Sequence, residues 1–291
     1  MALFQISNEE ITIQADSMGA ELKSLKDVAT GREYMWNADP KYWKRTSPIL
    51  FPLVGGLKGG VYRLGEREYP MGQHGFARDM EMKLKSQVAH EIWFTLESDE
   101  ETLQKYPYPF LLELGYELRD KTVVVKWNVK NTGKERMYFS IGGHPAFLCP
   151  VEEGTKQTDY SIRLDAKEHV TVSTLRDGLL SGEKVDYKLD NGMIPVTEHL
   201  FDGDALVIEN DQAHSAALVK PDGEAYLTVT FDAPLFGIWS PPKKQAPFIC
   251  IEPWYGRCDR ADYVGDWENR EWGQCLEAGE TFTAQYRIAV E

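Results

Sequence analysis

The feature that most constrains this chain is a period-two alternation of apolar and polar residues, sustained over long stretches. Successive side chains of a β-strand point to opposite faces, so such alternation specifies half-buried strands rather than helices. The clearest case runs Leu112, Leu114, Tyr116, Leu118 up to the polar pair Asp120-Lys121, then back through Val123, Val125, Trp127 and Val129. Two runs of this kind around a short polar turn predict a long hairpin. Ile11 and Ile13 begin the pattern, and Leu22 and Leu25 flank a second short segment. Met82, Leu84, Val88, Ile92, Phe94 and Leu96 predict one apolar face. Asp190-Asn191-Gly192 and Pro221-Asp222-Gly223 read as turns between later strands, and Phe282, Tyr286, Ile288 and Val290 as the last strand.

Helical signals are few. Acidic residues before Pro107 predict one short helix over 99–105, and a second short piece is expected over 197–201. No Pro/Gly/Ser-rich linker, repeat or low-complexity segment divides the chain. The expectation is an all-β fold, a large antiparallel β-sandwich of two sheets packed face to face, with residues 1–291 forming a single domain. A chain of 291 residues can bury a substantial core without disulfides or a structural metal.

Charge narrows the function classes. The 32 basic residues stand against 46 acidic ones, a net charge of −14, which argues against a nucleic acid or an anionic membrane surface as partner. Cys149, Cys250, Cys258 and Cys275 show neither a C-x-x-C pair nor zinc-ligand spacing, so reduced thiols are expected. The first residues carry no basic region leading into an apolar run, and no later stretch approaches the length of a membrane span. A cytoplasmic protein is expected, as a monomer or homodimer.

Four stretches interrupt the alternation with unusual residues. Gly-Gly-His-Pro-Ala-Phe (142–147) places His144, the side chain whose ordinary pKa lies nearest neutrality, before a proline that forces it into extended backbone. The two glycines suggest a bend or a close approach to a ligand. A histidine at a strand exit can equally do no more than satisfy nearby backbone groups. Arg-Thr-Ser-Pro-Ile-Leu-Phe-Pro (45–52) opens on a permanent cation, and His-Gly-Phe-Ala-Arg (74–78) pairs a second histidine with a second arginine. Phe-Ile-Cys-Ile-Glu-Pro-Trp-Tyr (248–255) ends an apolar run on Glu252, a carboxylate that is costly there unless paired or protonated. A raised pKa would suit it to general base work near neutrality, whereas a surface position would make it inert. Asp232 sits in an aromatic-rich loop and reads either as a site residue or as a turn former. Trp239, Trp254 and Tyr255 could offer flat faces to a sugar ring or simply fill the core. H-E-x-x-H, G-x-S-x-G, Walker and dinucleotide-binding patterns are all absent.

Taken in this order, the segments 45–52, 74–78, 142–147, the Asp232 loop and Ile-Glu-Pro-Trp (251–254) resemble the aldose 1-epimerase (galactose mutarotase) family, in particular its LacX-like branch. The resemblance spans essentially the whole chain and implies a β-supersandwich. It implies a small-molecule sugar substrate and neither a metal nor a redox cofactor. It further implies His144 as general acid, Glu252 as general base, His74 and Asp232 as holders of sugar hydroxyls, and Arg45 and Arg78 as substrate-side cations. For that chemistry His144 is expected to be protonated while Glu252 is ionised. The alternatives are the same reaction on a hexose 6-phosphate, or a carbohydrate-binding protein without turnover.

Overall fold

A computed structural model describes residues 2–291. Two large antiparallel sheets face one another. The nine-stranded sheet runs from the Met193–Pro195 strand at one edge to Lys83–Val88 at the other. Near its middle lies the expected hairpin, Phe110–Arg119 paired with Thr122–Asn131, with Asp120 in the left-handed turn conformation at φ +48°. Thr281–Val290 joins the other side of Thr122–Asn131. The eight-stranded sheet contains Leu179–Lys188, His169–Arg176, Leu206–Ile208, Leu235–Trp239, Phe248–Tyr255, Ile141–Gly143 and Ile49–Leu50 in that order, and Ala146–Leu148 also pairs with Phe248–Tyr255. This is a β-supersandwich.

Alternation explains the core. Leu112, Leu114, Val123, Val125 and Trp127 from the larger sheet meet Phe236, Ile238, Ile249 and Ile251 from the smaller one in one continuous apolar cluster. Those four residues of the smaller sheet occupy one face of their strands, so Gly237, Trp239, Cys250, Glu252 and Trp254 fall on the other. The face turned away from the sandwich core is therefore built from different chemistry.

Two expectations need correction. Leu84 and Val88 are 43% and 63% exposed, because their strand is the outermost of its sheet and carries an irregularity between Leu84 and Ser86. The 197–201 stretch forms successive turns closed by i to i+3 bonds such as Asp202 N to His199 O, with the His199 ring bonded to the Asp202 carboxylate instead of free for a helical face. The other helix forms over Glu100–Lys105. Asp99 accepts from the Thr102 amide at 2.8 Å, and the Thr102 hydroxyl accepts from the Asp99 amide at 2.8 Å. All four cysteines are free. Among the described residues, no helix is long and apolar enough to cross a membrane.

Candidate active site

His144 and Glu252 are brought together by strand register. Ile141–Gly143 and Ala146–Leu148 both pair with Phe248–Tyr255, Gly142 opposite Trp254 and Ala146 opposite Cys250. The same register on both sides of the His144-Pro145 interruption sets His144 directly across from Glu252. Paired residues of antiparallel strands project from one face. Their side chains accordingly meet, His144 Nε2 to Glu252 Oε2 at 3.3 Å.

The glycines beside them make room for rings. A Cβ on Gly142 would lie 2.6 Å from Trp254 Cδ1, and one on Gly237 would lie 2.4 Å from Trp254 Cη2. The indole thus fills the space two residues along from Glu252. Gly143 is held close to the Tyr286 ring in the same way. Gly142 and Gly143 are extended strand residues, so they do not bend the chain, and the space a Cβ would take is filled by the Trp254 and Tyr286 rings.

Two irregular segments supply the rest. The amide of Gly55 donates to His74 Nδ1 at 3.1 Å, and the His74 amide donates to the Gly55 carbonyl at 2.8 Å. With Nδ1 accepting, the ring proton of His74 resides on Nε2, which makes that nitrogen a donor. His74 adopts φ +66°, an uncommon conformation for a non-glycine residue and one often found at functional positions. Residues 45–48 are fixed through Glu21, whose carboxylate accepts from the amides of Thr46 and Ser47, while Thr46 and Pro48 carbonyls receive the amides of Ala146 and His144. Just upstream, Trp36 Nε1 donates to the Trp43 carbonyl at 2.9 Å. Trp43 stacks on the His144 ring at 4.7 Å between centroids, and Trp239 meets the same ring edge-on at 5.5 Å.

These groups line a cavity of about 300 Å³, within the range of small-ligand pockets. Its wall includes His74, Arg78, His144, Glu252, Asp204 and the indoles of Trp43, Trp239 and Trp254. Four of the six residues expected at the site thus share one cavity. Arg45 stands outside it, bonded to Asp79 at 2.7 Å. Asp232 is also outside; it is exposed and lies near Tyr255, whose phenol is pushed up to about 12 by burial and then by the Asp232 carboxylate. Tyr255 itself packs edge-on against Phe282 and lines no part of the cavity. The acid that does reach the cavity is Asp204, in the turns before Leu206–Ile208. No sequence pattern marks it within a run of polar turn residues. Trp43 could have been suspected from the cluster Trp36, Tyr42, Trp43 in a stretch lacking alternation.

Burial dominates the electrostatics. Glu252, 1% exposed, has its pKa raised well above 4.5 by desolvation and then by Asp204. His144 is pushed down to about 3 by burial and then by the Arg78 guanidinium. Both groups of the resting pair therefore favour their neutral forms, the reverse of the expected imidazolium and carboxylate. His74 is likewise lowered, by burial and then by His144. Several buried polar atoms of this cavity have no hydrogen-bond partner: His144 Nδ1, Glu252 Oε2, Trp254 Nε1 and Arg78 Nε. Buried polar atoms are usually paired, so these are the wall atoms open to a hydrogen bond from a ligand or a water molecule.

A β-supersandwich with a histidine–glutamate pair at the floor of a tryptophan-walled cavity defines the class, that of the galactose mutarotase-like proteins. Residues 2–289 match the aldose 1-epimerase family, and the chain belongs to it. It is 34% identical over 262 residues to the plasmid-borne protein LacX of Lactococcus lactis subsp. lactis, 87% of either chain being covered. A galactose mutarotase related enzyme from Lactobacillus acidophilus superposes with a TM-score of 0.95 at 32% identity, over 100% of this chain and 97% of that one. A galactose mutarotase-like protein from Lactobacillus casei ATCC 334 does so with a TM-score of 0.92 at 31% identity, over 100% of both.

Proposed function

We propose that the protein is an isomerase interconverting the α and β anomers of a free aldose by acid–base opening and closing of the sugar ring. The observation that carries this reading is the 3.3 Å contact of His144 Nε2 with Glu252 Oε2 on the floor of the cavity. Opening a cyclic hemiacetal requires a proton to leave the anomeric hydroxyl and another to reach the ring oxygen. Both oxygens are bonded to one carbon, so an acid and a base in mutual contact can serve both.

Proton count does not depend on how the pair is charged. Imidazole with carboxylic acid and imidazolium with carboxylate hold the same number of protons. Burial favours the first form in the resting protein. Sugar hydroxyls that fill the unpaired hydrogen-bonding positions favour the second, because hydrogen bonds to a charged form stabilise it. In that form Glu252 takes the proton from the anomeric hydroxyl while His144 protonates the ring oxygen. The ring C–O bond breaks to give the open aldehyde, rotation about C1–C2 presents its other face, and closure returns both protons. Roles for His74 Nε2–H, Asp204 and Arg78 in holding hydroxyls are supported by their positions on the cavity wall, and the three indoles offer flat apolar walls.

The test is exchange NMR between anomer signals over a panel of free and phosphorylated aldoses, with His144→Ala and Glu252→Gln as controls. Acceleration that both substitutions abolish supports the reading. Saturable sugar binding without acceleration replaces it with a carbohydrate-binding role. A second reading, the same reaction on a hexose 6-phosphate, draws on one observation: Arg78 on the cavity wall, whose buried Nε makes no hydrogen bond and stands 3.8 Å from Asp79 Oδ2. Against it, the neighbouring cation Arg45 is already matched to Asp79. A marked preference for the phosphorylated sugars, lost in Arg78→Leu, would establish it.

A further inference from the structure

Cys250 takes no part in the proton transfers just described, yet it lies beside both groups that do. It precedes Glu252 by two positions on the Phe248–Tyr255 strand, so both side chains project from the face that carries the cavity. Its partner across the sheet is Ala146, two residues beyond His144. Donor atoms of His144, Cys250 and Glu252 all lie within 4.8 Å of one another, and all three residues are buried.

We propose that His144, Cys250 and Glu252 form a three-ligand site for a borderline-soft divalent cation of the zinc or cadmium class, and that occupancy of this site blocks the acid–base pair. Nitrogen, thiolate and carboxylate donors are the set such ions take, and three protein ligands leave a fourth position for water or a ligand. Ligands at roughly 2.0–2.3 Å from a tetrahedral ion stand about 3.3–3.8 Å apart. The imidazole and carboxyl are already at that spacing, and the sulfur has to close by no more than about 1 Å. Glu252 Oε2 is buried, and apart from its 3.3 Å contact with His144 Nε2 it has no hydrogen-bond partner. His144 would use its Nε2 lone pair, which leaves Nδ1 to carry the ring proton.

Protons balance simply. The cation displaces one from the Cys250 thiol and one from the Glu252 carboxyl, both passing to solvent, and the neutral imidazole loses none. Metal affinity therefore rises with pH. In the bound state neither a free imidazole lone pair nor a mobile carboxyl proton remains, so ring opening stops.

The experiment titrates Cd²⁺ into the protein carrying Cys275→Ser, which removes the exposed thiol, and follows thiolate-to-metal charge-transfer absorption together with equilibrium dialysis. One ion per chain with a thiolate band is expected. The band should vanish in Cys250→Ala and in the volume-conserving Cys250→Ser, and affinity should fall by roughly tenfold or more in His144→Ala. Anomer exchange should be lost on Cd²⁺ or Zn²⁺ addition, recovered with a chelator, and insensitive to either ion in Cys250→Ala. A band that survives Cys250→Ala assigns the ion to another thiol, such as Cys258 on the cavity wall, and overturns the proposal. Absence of binding to the folded parent protein, or inhibition that persists without Cys250, overturns it equally. Because absorption and dialysis need no sugar, failure of the anomer-exchange reading and failure of this site are told apart.

Discussion

Replacing Glu252 with glutamine keeps the size of the side chain and removes its ability to accept a proton. General acid or base assistance contributes about 10²–10⁴-fold, so kcat for anomer exchange should fall by that factor, about 2.7–5.5 kcal/mol in activation free energy. The fold should persist, because the carboxyl replaced is buried and favours its neutral form. Stability should even respond in the opposite direction to activity, and the sign follows from linkage. Above pH 4.5 the unfolded chain gives up the Glu252 proton while the folded chain keeps it, because the folded pKa is raised. The stability tied to that retained proton is complete below 4.5 and is lost as pH rises toward the folded value. Glutamine has nothing to titrate, so the variant should gain on the wild type with increasing pH, by at most about 1.4 kcal/mol per pH unit. Saturation-transfer NMR measures the rate, and thermal or urea denaturation of both proteins at several pH values measures the difference. Exchange within tenfold of wild type would refute the catalytic role. A stability difference that is flat or declines with pH would refute the argument from burial.

Three further predictions follow from the same geometry. His144, held down to about 3, stays neutral in the folded protein while the unfolded chain binds a proton below 6.5; its contribution is complete above 6.5 and lost as pH falls toward 3, so His144→Gln should flatten the acid side of the stability profile seen by thermal denaturation. Asp232→Ala, at an exposed position outside the cavity, should leave kcat/KM within about twofold of wild type, whereas Asp204→Asn on the cavity wall should lower it by tenfold or so, the cost of about one hydrogen bond; equal effects in steady-state kinetics would contradict this placement. Gly237→Ala forces a methyl to within 2.4 Å of the Trp254 ring, so it should cost about 1–3 kcal/mol in urea denaturation and reduce turnover by displacing the indole beside Glu252.

The sheet core was legible because each strand of the 112–129 hairpin has one wet face and one dry face, and the eye can follow the alternation. Phe248–Tyr255 was harder to read, since nearly every residue is buried and periodicity vanishes when both faces are covered. Glu252 stood out there only as a charge in an apolar run. The partnership of His144 with Glu252 could be guessed from motif order, but its cause is pairing between strands a hundred residues apart in the chain, which no local window contains. Asp232 and Asp204 show the complementary limit. Both are acids in turn-rich stretches, and which of them reaches the cavity is decided by how the Leu206–Ile208 and Leu235–Trp239 strands are joined, a matter of tertiary path. The resting electrostatics of the pair were out of reach of the sequence for a related reason. A contact between opposite charges can be anticipated from chemistry, whereas the depth at which the pair is submerged becomes visible only in three dimensions.

The two sides of the Phe248–Tyr255 strand serve different masters, Ile249 and Ile251 the interior of the sandwich and Glu252 and Trp254 the chamber that His144 also lines. Insertion or deletion of one residue there would exchange the two sets, driving a carboxyl into hydrocarbon and an isoleucine into the chamber. Insertions and deletions are better tolerated in the connecting segments that carry Trp43, His74 and Asp204. On the proposed function, substitutions along those connections should alter sugar preference while the His144–Glu252 pair stays anchored to a ladder that tolerates no slippage.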